Sequence, residues 1–216
     1  MGYTPRSKQQ LIKDFITFPI RAVHIFEDDK WGLTSLASER FDYVKHEVQG
    51  YCLDVGCGRY NRFINKYLEG HGIGIDVFKY EGLTEENLVE DIKKFPFPNE
   101  TFDTVTFIAN INHIPPSMRD NELSEAYRCL KYGGNVLVTI ANPVAGIAVH
   151  KVVRFHDIVF GTNYDMDHAR GMAEGEEYYL KDKEIVSRLA KAGFINIRRK
   201  YFWTQWFLNH MFIGYK

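Results

Sequence analysis

The hydrophobic period of this chain switches repeatedly between that of a buried strand and that of a helix, and few architectures accept such a pattern. Residues 51–55, "YCLDV", are a short apolar run stopped by glycine, as in a central strand buried on both faces. Phe63, Ile64, Tyr67 and Leu68 then recur at helical spacing up to Gly70, and "GIGIDV" at 72–77 is strand-like again. The alternation continues with "FDTVTFI" at 102–108, a helix face of Leu123, Ala126, Tyr127 and Leu130, a turn at Gly133 and Gly134, and "NVLVTIA" at 135–141. Strand–helix–strand alternation predicts a mainly parallel α/β sheet with helices on both faces. Ile185, Leu189 and Ala192 add a helix before Gly193, and "FINIRRKYF" and "HMFIGYK" are closing β segments able to form an antiparallel edge.

Two features lie outside this pattern. Leu11, Ile12, Phe15 and Ile16 predict an amphipathic helix that ends before Pro19, and Phe41, Val44 and Val48 predict another closed by Gly50, so residues 1–49 are expected to be a helical cap. Residues 142–179 have no clear period and read as an insertion after the 135–141 strand, within a single domain spanning 1–216.

A formal net charge of -1 and the lack of a separate basic region offer no electrostatic reason to expect a nucleic-acid partner. Cys52, Cys57 and Cys129 are an odd set without a C-x-x-C pair, which argues against a disulfide framework and a cysteine zinc site and suits a reducing, cytoplasmic location. The start lacks a signal-peptide core, and no apolar stretch reaches the roughly 18 residues of a membrane span. Self-association is left open. An aromatic share of 15% fits either an aromatic-lined pocket or simply core.

In an open α/β sheet, ligands bind at the carboxyl ends of the strands where the strand order reverses. "YCLDVGCGRY" places Asp54, Gly56 and Gly58 there, and glycine lets backbone approach a ligand with no Cβ in the way. A dinucleotide fingerprint would put a third glycine at position 61, where this chain has Asn61, which counts against NAD. Asp76 ends the next strand at about the spacing from the glycines at which an acid accepts hydrogen bonds from ribose hydroxyls, and Asp91 follows in the next connection. Three acids at strand ends without a P-loop lysine suit a nucleoside ligand carrying positive charge better than a polyphosphate. Cys57 sits in the same loop, where a small residue serves the turn.

"LDVGCG", "GIDV", "EDIKKFPFPNETFDTVTFIANINHIP" and "LSEAYRCLKYGGNVLVTI" resemble, in order and spacing, the successive motifs of class I S-adenosylmethionine-dependent methyltransferases of the methyltransferase-11 type. The resemblance implies a Rossmann-like, seven-stranded, mainly parallel sheet with an antiparallel last strand. It implies S-adenosylmethionine as cofactor and S-adenosylhomocysteine as product. By the same resemblance, Asp54, Gly56, Cys57 and Gly58 hold the methionine end, Asp76 and Val77 the ribose, Phe78 one side of the adenine, Asp91 and the Ile92 backbone its edge, and Asn110 the wall beneath the methionine group. Tyr132 stands where the family often has proline, which should alter only the turn.

Methyl transfer relies on placing the acceptor atom in line with an activated methyl, and a base is needed only where the acceptor must lose a proton. His113, after the 102–108 strand, faces the expected acceptor side as a base, an acceptor contact or a packing residue. The insertion gathers His150, His168, Arg170, Glu174 and Glu176. It reads as an acceptor-binding lid in which Arg170 clasps an anionic group and His168 takes a proton, as a solvated polar loop, or as a metal site, although its spacing matches no standard zinc signature. The expected partner is a small-molecule methyl acceptor. A binding module that transfers nothing, and an NAD-dependent oxidoreductase, are the competing readings.

Overall fold

A computed structural model describes residues 4–23, 29–89, 93–142, 151, 159, 161 and 180–216. Its strands are β1 (Cys52–Val55), β2 (Gly72–Ile75), β3 (Phe102–Ile108), β4 (Leu130–Ala141), β5 (Ile195–Tyr201) and β6 (Asn209–Tyr215), in one six-stranded sheet of order β2-β1-β3-β4-β6-β5. β1 runs parallel to β2 and β3, and β3 parallel to β4. β6 enters antiparallel between β4 and β5, the reversed last strand expected from the sequence. The expected seventh strand is, among the described residues, reduced to a parallel bridge between Asp76 and Leu88 beside β2. Asp76 N–H donates to Asn87 O at 2.8 Å and Val89 N–H to Asp76 O at 3.0 Å.

Side chains alternate across the sheet and build a core on each face. Leu53, Val55, Val105, Phe107, Val136 and Val138 face one side. There they pack against α3 (Pro116–Cys129) through Leu123 and Ala126, and against α4 (Asp182–Ala192) through Ile185 and Leu189. Cys52, Leu137, Met211 and Ile213 face the other, against Val44 of α2 (Leu36–Lys45) and Phe63, Ile64 and Tyr67. Local chemistry sets the helix ends. Pro116 opens α3, where its missing N–H costs nothing; the Ser35 hydroxyl accepts from Ser38 N–H at 3.0 Å at the start of α2; Gly193, at φ 108°, closes α4.

Three expectations need correction. α1 (Lys8–Val23) runs through Pro19 instead of ending before it. Proline cannot donate to the Phe15 carbonyl four residues back, and the Trp206 indole N–H does so instead at 2.9 Å. The helix expected over Phe63, Ile64, Tyr67 and Leu68 is a π turn, Phe63–Tyr67, preceded by a separate 3-10 turn, Arg59–Asn61, where Tyr60 and Asn61 take positive φ. The turn expected at Gly133 and Gly134 lies inside β4, whose pairing with β3 jumps from Phe102–Leu130 to Thr104–Asn135. No helix among the described residues is long and apolar enough to cross a membrane.

Candidate functional site

The carboxyl ends of β1 and β2 lie side by side, Val55 in register with Ile75, so that the two following turns share one rim. Gly56 and Cys57 donate their N–H groups to Ile75 O at 2.8 and 3.1 Å, which ties the first turn to β2. Gly58 N–H and Phe78 N–H both donate to the Asp76 carboxylate, each at 3.0 Å. The turn's N–H groups therefore build its own frame, whereas the sequence suggested that they point at a ligand. What the glycines contribute is space. A Cβ on Gly58 would meet nothing within 4 Å, while one on Gly56 would lie 2.3 Å from the Asn110 side chain. Asn110 Nδ2 donates to Val55 O at 3.0 Å, clasping the end of β1 from beyond β3.

A cleft of about 310 Å³ opens along this rim. Gly56, Asp76, Val77, Phe78, Asn110 and His113 line it, six of the residues singled out from the sequence. Asp54, Cys57 and Gly58 are not among the lining residues, and the first two are buried. Asp91, Ile92, His150, His168, Arg170, Glu174 and Glu176 lie outside the described residues. Sequence reasoning missed the far wall, where Val89, Phe95, Ile114, Met118 and Glu122 complete a mostly apolar surface. Met118 and Glu122 sit four apart on α3 and share one face of it, a helical-period signal that was available.

Asn61 explains why no third glycine is needed. Its side chain packs against β2 at Gly74, where an added Cβ would lie 2.2 Å from Asn61 Oδ1, so the bare position has moved to the neighbouring strand. Gly56→Ala is expected to reduce both stability and cofactor affinity, because the new Cβ must displace Asn110 and the residue has φ 75°. A lower Tm together with weaker binding by calorimetry is the expected result.

The site is electrostatically one-sided. Asp54 and Asp76 are 2% and 4% exposed, and Thr106 Oγ1 donates to Asp54 at 2.6 Å. Burial, opposed by the Thr106 hydrogen bond and reinforced by Asp76, pushes the Asp54 acid up to about 7. Burial, with Asp54 and Asp76 adding to it, also pushes the Cys57 thiol far up, which makes it a filler of the turn and no nucleophile. Among the described residues no group of three His, Cys, Asp or Glu is placed to hold a metal ion.

Fold and site together define an open α/β protein with a cleft at its switch point, the place where such sheets bind their ligands. Residues 53–138 match the family model described as "Methyltransferase domain". Solved structures share the fold. An S-adenosylmethionine-dependent methyltransferase of Thermotoga maritima aligns over 96% of this chain and 97% of its own, at 14% identity and TM-score 0.58. The Burkholderia thailandensis 1,6-didemethyltoxoflavin-N1-methyltransferase, with S-adenosylhomocysteine bound, aligns over 100% and 92%, at 12% identity and TM-score 0.54. A methyltransferase in complex with the Haloferax volcanii Trm112 activator aligns over 82% and 88%, at 14% identity and TM-score 0.56. No curated protein matches the sequence. Residues 53–138 are thus similar to the methyltransferase-domain family, on a fold shared with S-adenosylmethionine-dependent methyltransferases, whose cofactor is S-adenosylmethionine. The residues present fit that group: a rim open at Gly58, an acid on the cleft wall and an apolar floor.

Proposed function

We propose that the cleft seats S-adenosylmethionine across the ends of β1 and β2 and that a small-molecule acceptor reaches the methyl from the side of His113. The observation that carries the seat is Asp76. A carboxylate offers roughly four acceptor sites. Gly58 and Phe78 occupy two of them and fix its orientation, and the remainder suit a pair of ribose hydroxyls. Phe78, with Val89 and Phe95 opposite, provides flat apolar walls for the adenine, and Asp91 and the Ile92 backbone take its edge. Asp54, Gly56, Cys57, Gly58 and Asn110 surround the methionine end, and Val77 lies beside the ribose. Bound S-adenosylmethionine supplies a methyl already activated for displacement.

The chain's part is then to hold the acceptor in line and keep water away. His113 and, from the insertion, His168 take any proton the acceptor must lose, while His150, Arg170, Glu174 and Glu176 contact the acceptor. The support for this second half is that residues 142–179 leave directly from the carboxyl end of β4, the same edge of the sheet as His113. The N-terminal residues 1–49 act as the cap of this one domain.

Calorimetric titration with S-adenosylmethionine, S-adenosylhomocysteine and NAD in parallel tests the seat, with binding of the first two alone expected. Release of S-adenosylhomocysteine is then measured with panels of small molecules, peptides and RNA. Turnover only with peptide or RNA would sink the small-molecule assignment.

A further inference from the structure

Asp54 lies on β1 and Asp76 directly follows the neighbouring parallel strand β2; both are buried, Asp76 on the cleft wall and Asp54 outside its lining. Asp76 takes two backbone N–H groups, whereas Asp54 takes the Thr106 hydroxyl from β3. The titratable groups around Asp54 are Cys52 on its own strand, Cys57 in the turn and Asp76 from β2. Across the cleft stand His113 and Glu122, and no lysine or arginine lines the cleft among the described residues. A second negative charge at Asp54 is therefore both desolvated and repelled, and no cationic side chain among the described residues lines the cleft to balance it.

We propose that Asp54 keeps a proton in the ligand-free protein and releases it when a cation settles over the 56–58 turn, so that this carboxyl discriminates S-adenosylmethionine from S-adenosylhomocysteine. The inference rests on the cofactor seat proposed above. On loading, the Asp54 O–H bond breaks, the proton passes to solvent and a carboxylate remains beside the sulfonium charge. Methyl transfer leaves the C–S bonding pair on a neutral sulfide, so Asp54 regains a proton and the hold on the product weakens. Burial, which comes before the opposing Thr106 hydrogen bond and the Asp76 charge among the causes, places the Asp54 acid at about 7, within reach of ordinary pH.

The sign follows from linkage. Below that value the free protein holds the proton and loading must expel it, so affinity for the cationic ligand rises with pH and levels off above it. Titration calorimetry of the full chain from about pH 5.5 to 8.5, in two buffers of different ionisation enthalpy, reads affinity and proton release together. S-adenosylmethionine affinity is expected to rise by up to about tenfold per pH unit below about pH 7, with up to about one proton released and a much smaller slope for S-adenosylhomocysteine. Asp54→Asn should flatten the difference between the two ligands, and His113→Asn, which removes the imidazole proton carrier, should leave it intact. Parallel pH profiles for the two ligands in the unaltered protein overturn the inference, as does a slope lost in His113→Asn and kept in Asp54→Asn. Binding of neither ligand at any pH overturns the seat and the inference with it.

Discussion

Asp76→Ala is expected to weaken S-adenosylmethionine binding by about ten- to a hundredfold, since hydrogen bonds to a charged acceptor contribute about 1.5–3 kcal/mol and each 1.4 kcal/mol is a factor of ten. The loss has two origins. The ribose hydroxyls lose their acceptor, and Gly58 and Phe78 lose the carboxylate that holds their N–H groups at 3.0 Å, so the rim itself loosens. Asp76→Asn keeps one oxygen acceptor and should fall between the two. Because the ribose is the same in substrate and product, S-adenosylhomocysteine should lose affinity by the same factor, which separates this role from the charge-dependent one assigned to Asp54. Calorimetry on protein whose Tm shows it folded is the measurement, and an unchanged affinity would remove Asp76 from the ribose site.

Much of this site was legible because the residues that carry it sit where the hydrophobic period breaks. Asp54, Gly56, Asp76 and Phe78 each interrupt or end an apolar run, and an interruption of a buried strand needs a reason. The far wall gives no such signal from the strands. Val89 and Phe95 come from a connection whose pairing beside β2 is, among the described residues, the Asp76–Leu88 bridge, and Met118 and Glu122 belong to a helix whose other face is ordinary core. Pro19 misled for a related reason. The rule that proline stops a helix holds when the freed carbonyl has no other donor, and the donor here is Trp206, some 190 positions away in sequence. Asn61 shows the converse, since a missing glycine was legible but its compensation at Gly74 on the next strand was not. Tyr132, the departure from the family's usual proline, is 78% exposed within β4, with the Lys216 ammonium 5.0 Å from its ring centroid.

Arg21→Ala is expected to destabilise the folded chain by about 3–5 kcal/mol, because it strands a buried carboxylate. The Arg21 and Glu39 side chains are 0% and 1% exposed and meet at 2.9 Å. One guanidinium joins four segments: Nη1 donates to Glu39 of α2 and to Thr34 O, and Nη2 to Asp14 O of α1 and to Thr204 O ahead of β6. Without it, Glu39 keeps only the Gln205 amide, at 2.8 Å, as a side-chain donor among the described residues. Replacing both partners, Arg21→Met with Glu39→Leu, should cost far less, since the desolvation of two charges disappears with them and, among the described residues, Arg21 Nε and Glu39 Oε1 already lack hydrogen-bond partners. Urea unfolding of the two variants reads the contrast, and a single variant within about 1 kcal/mol of the parent would show that α1 docks by apolar contact alone. The strand order gives this result a functional edge. The cofactor cleft is built on β1 and β2 at one side of the sheet, whereas the Arg21 network anchors α1 beside the segment leading into β6, near the other. If the cap formed by residues 1–49 covers the acceptor, Arg21→Ala protein that remains folded should bind S-adenosylmethionine with nearly parental affinity yet turn over poorly. Equal loss of binding and turnover would place the cap over the cofactor instead.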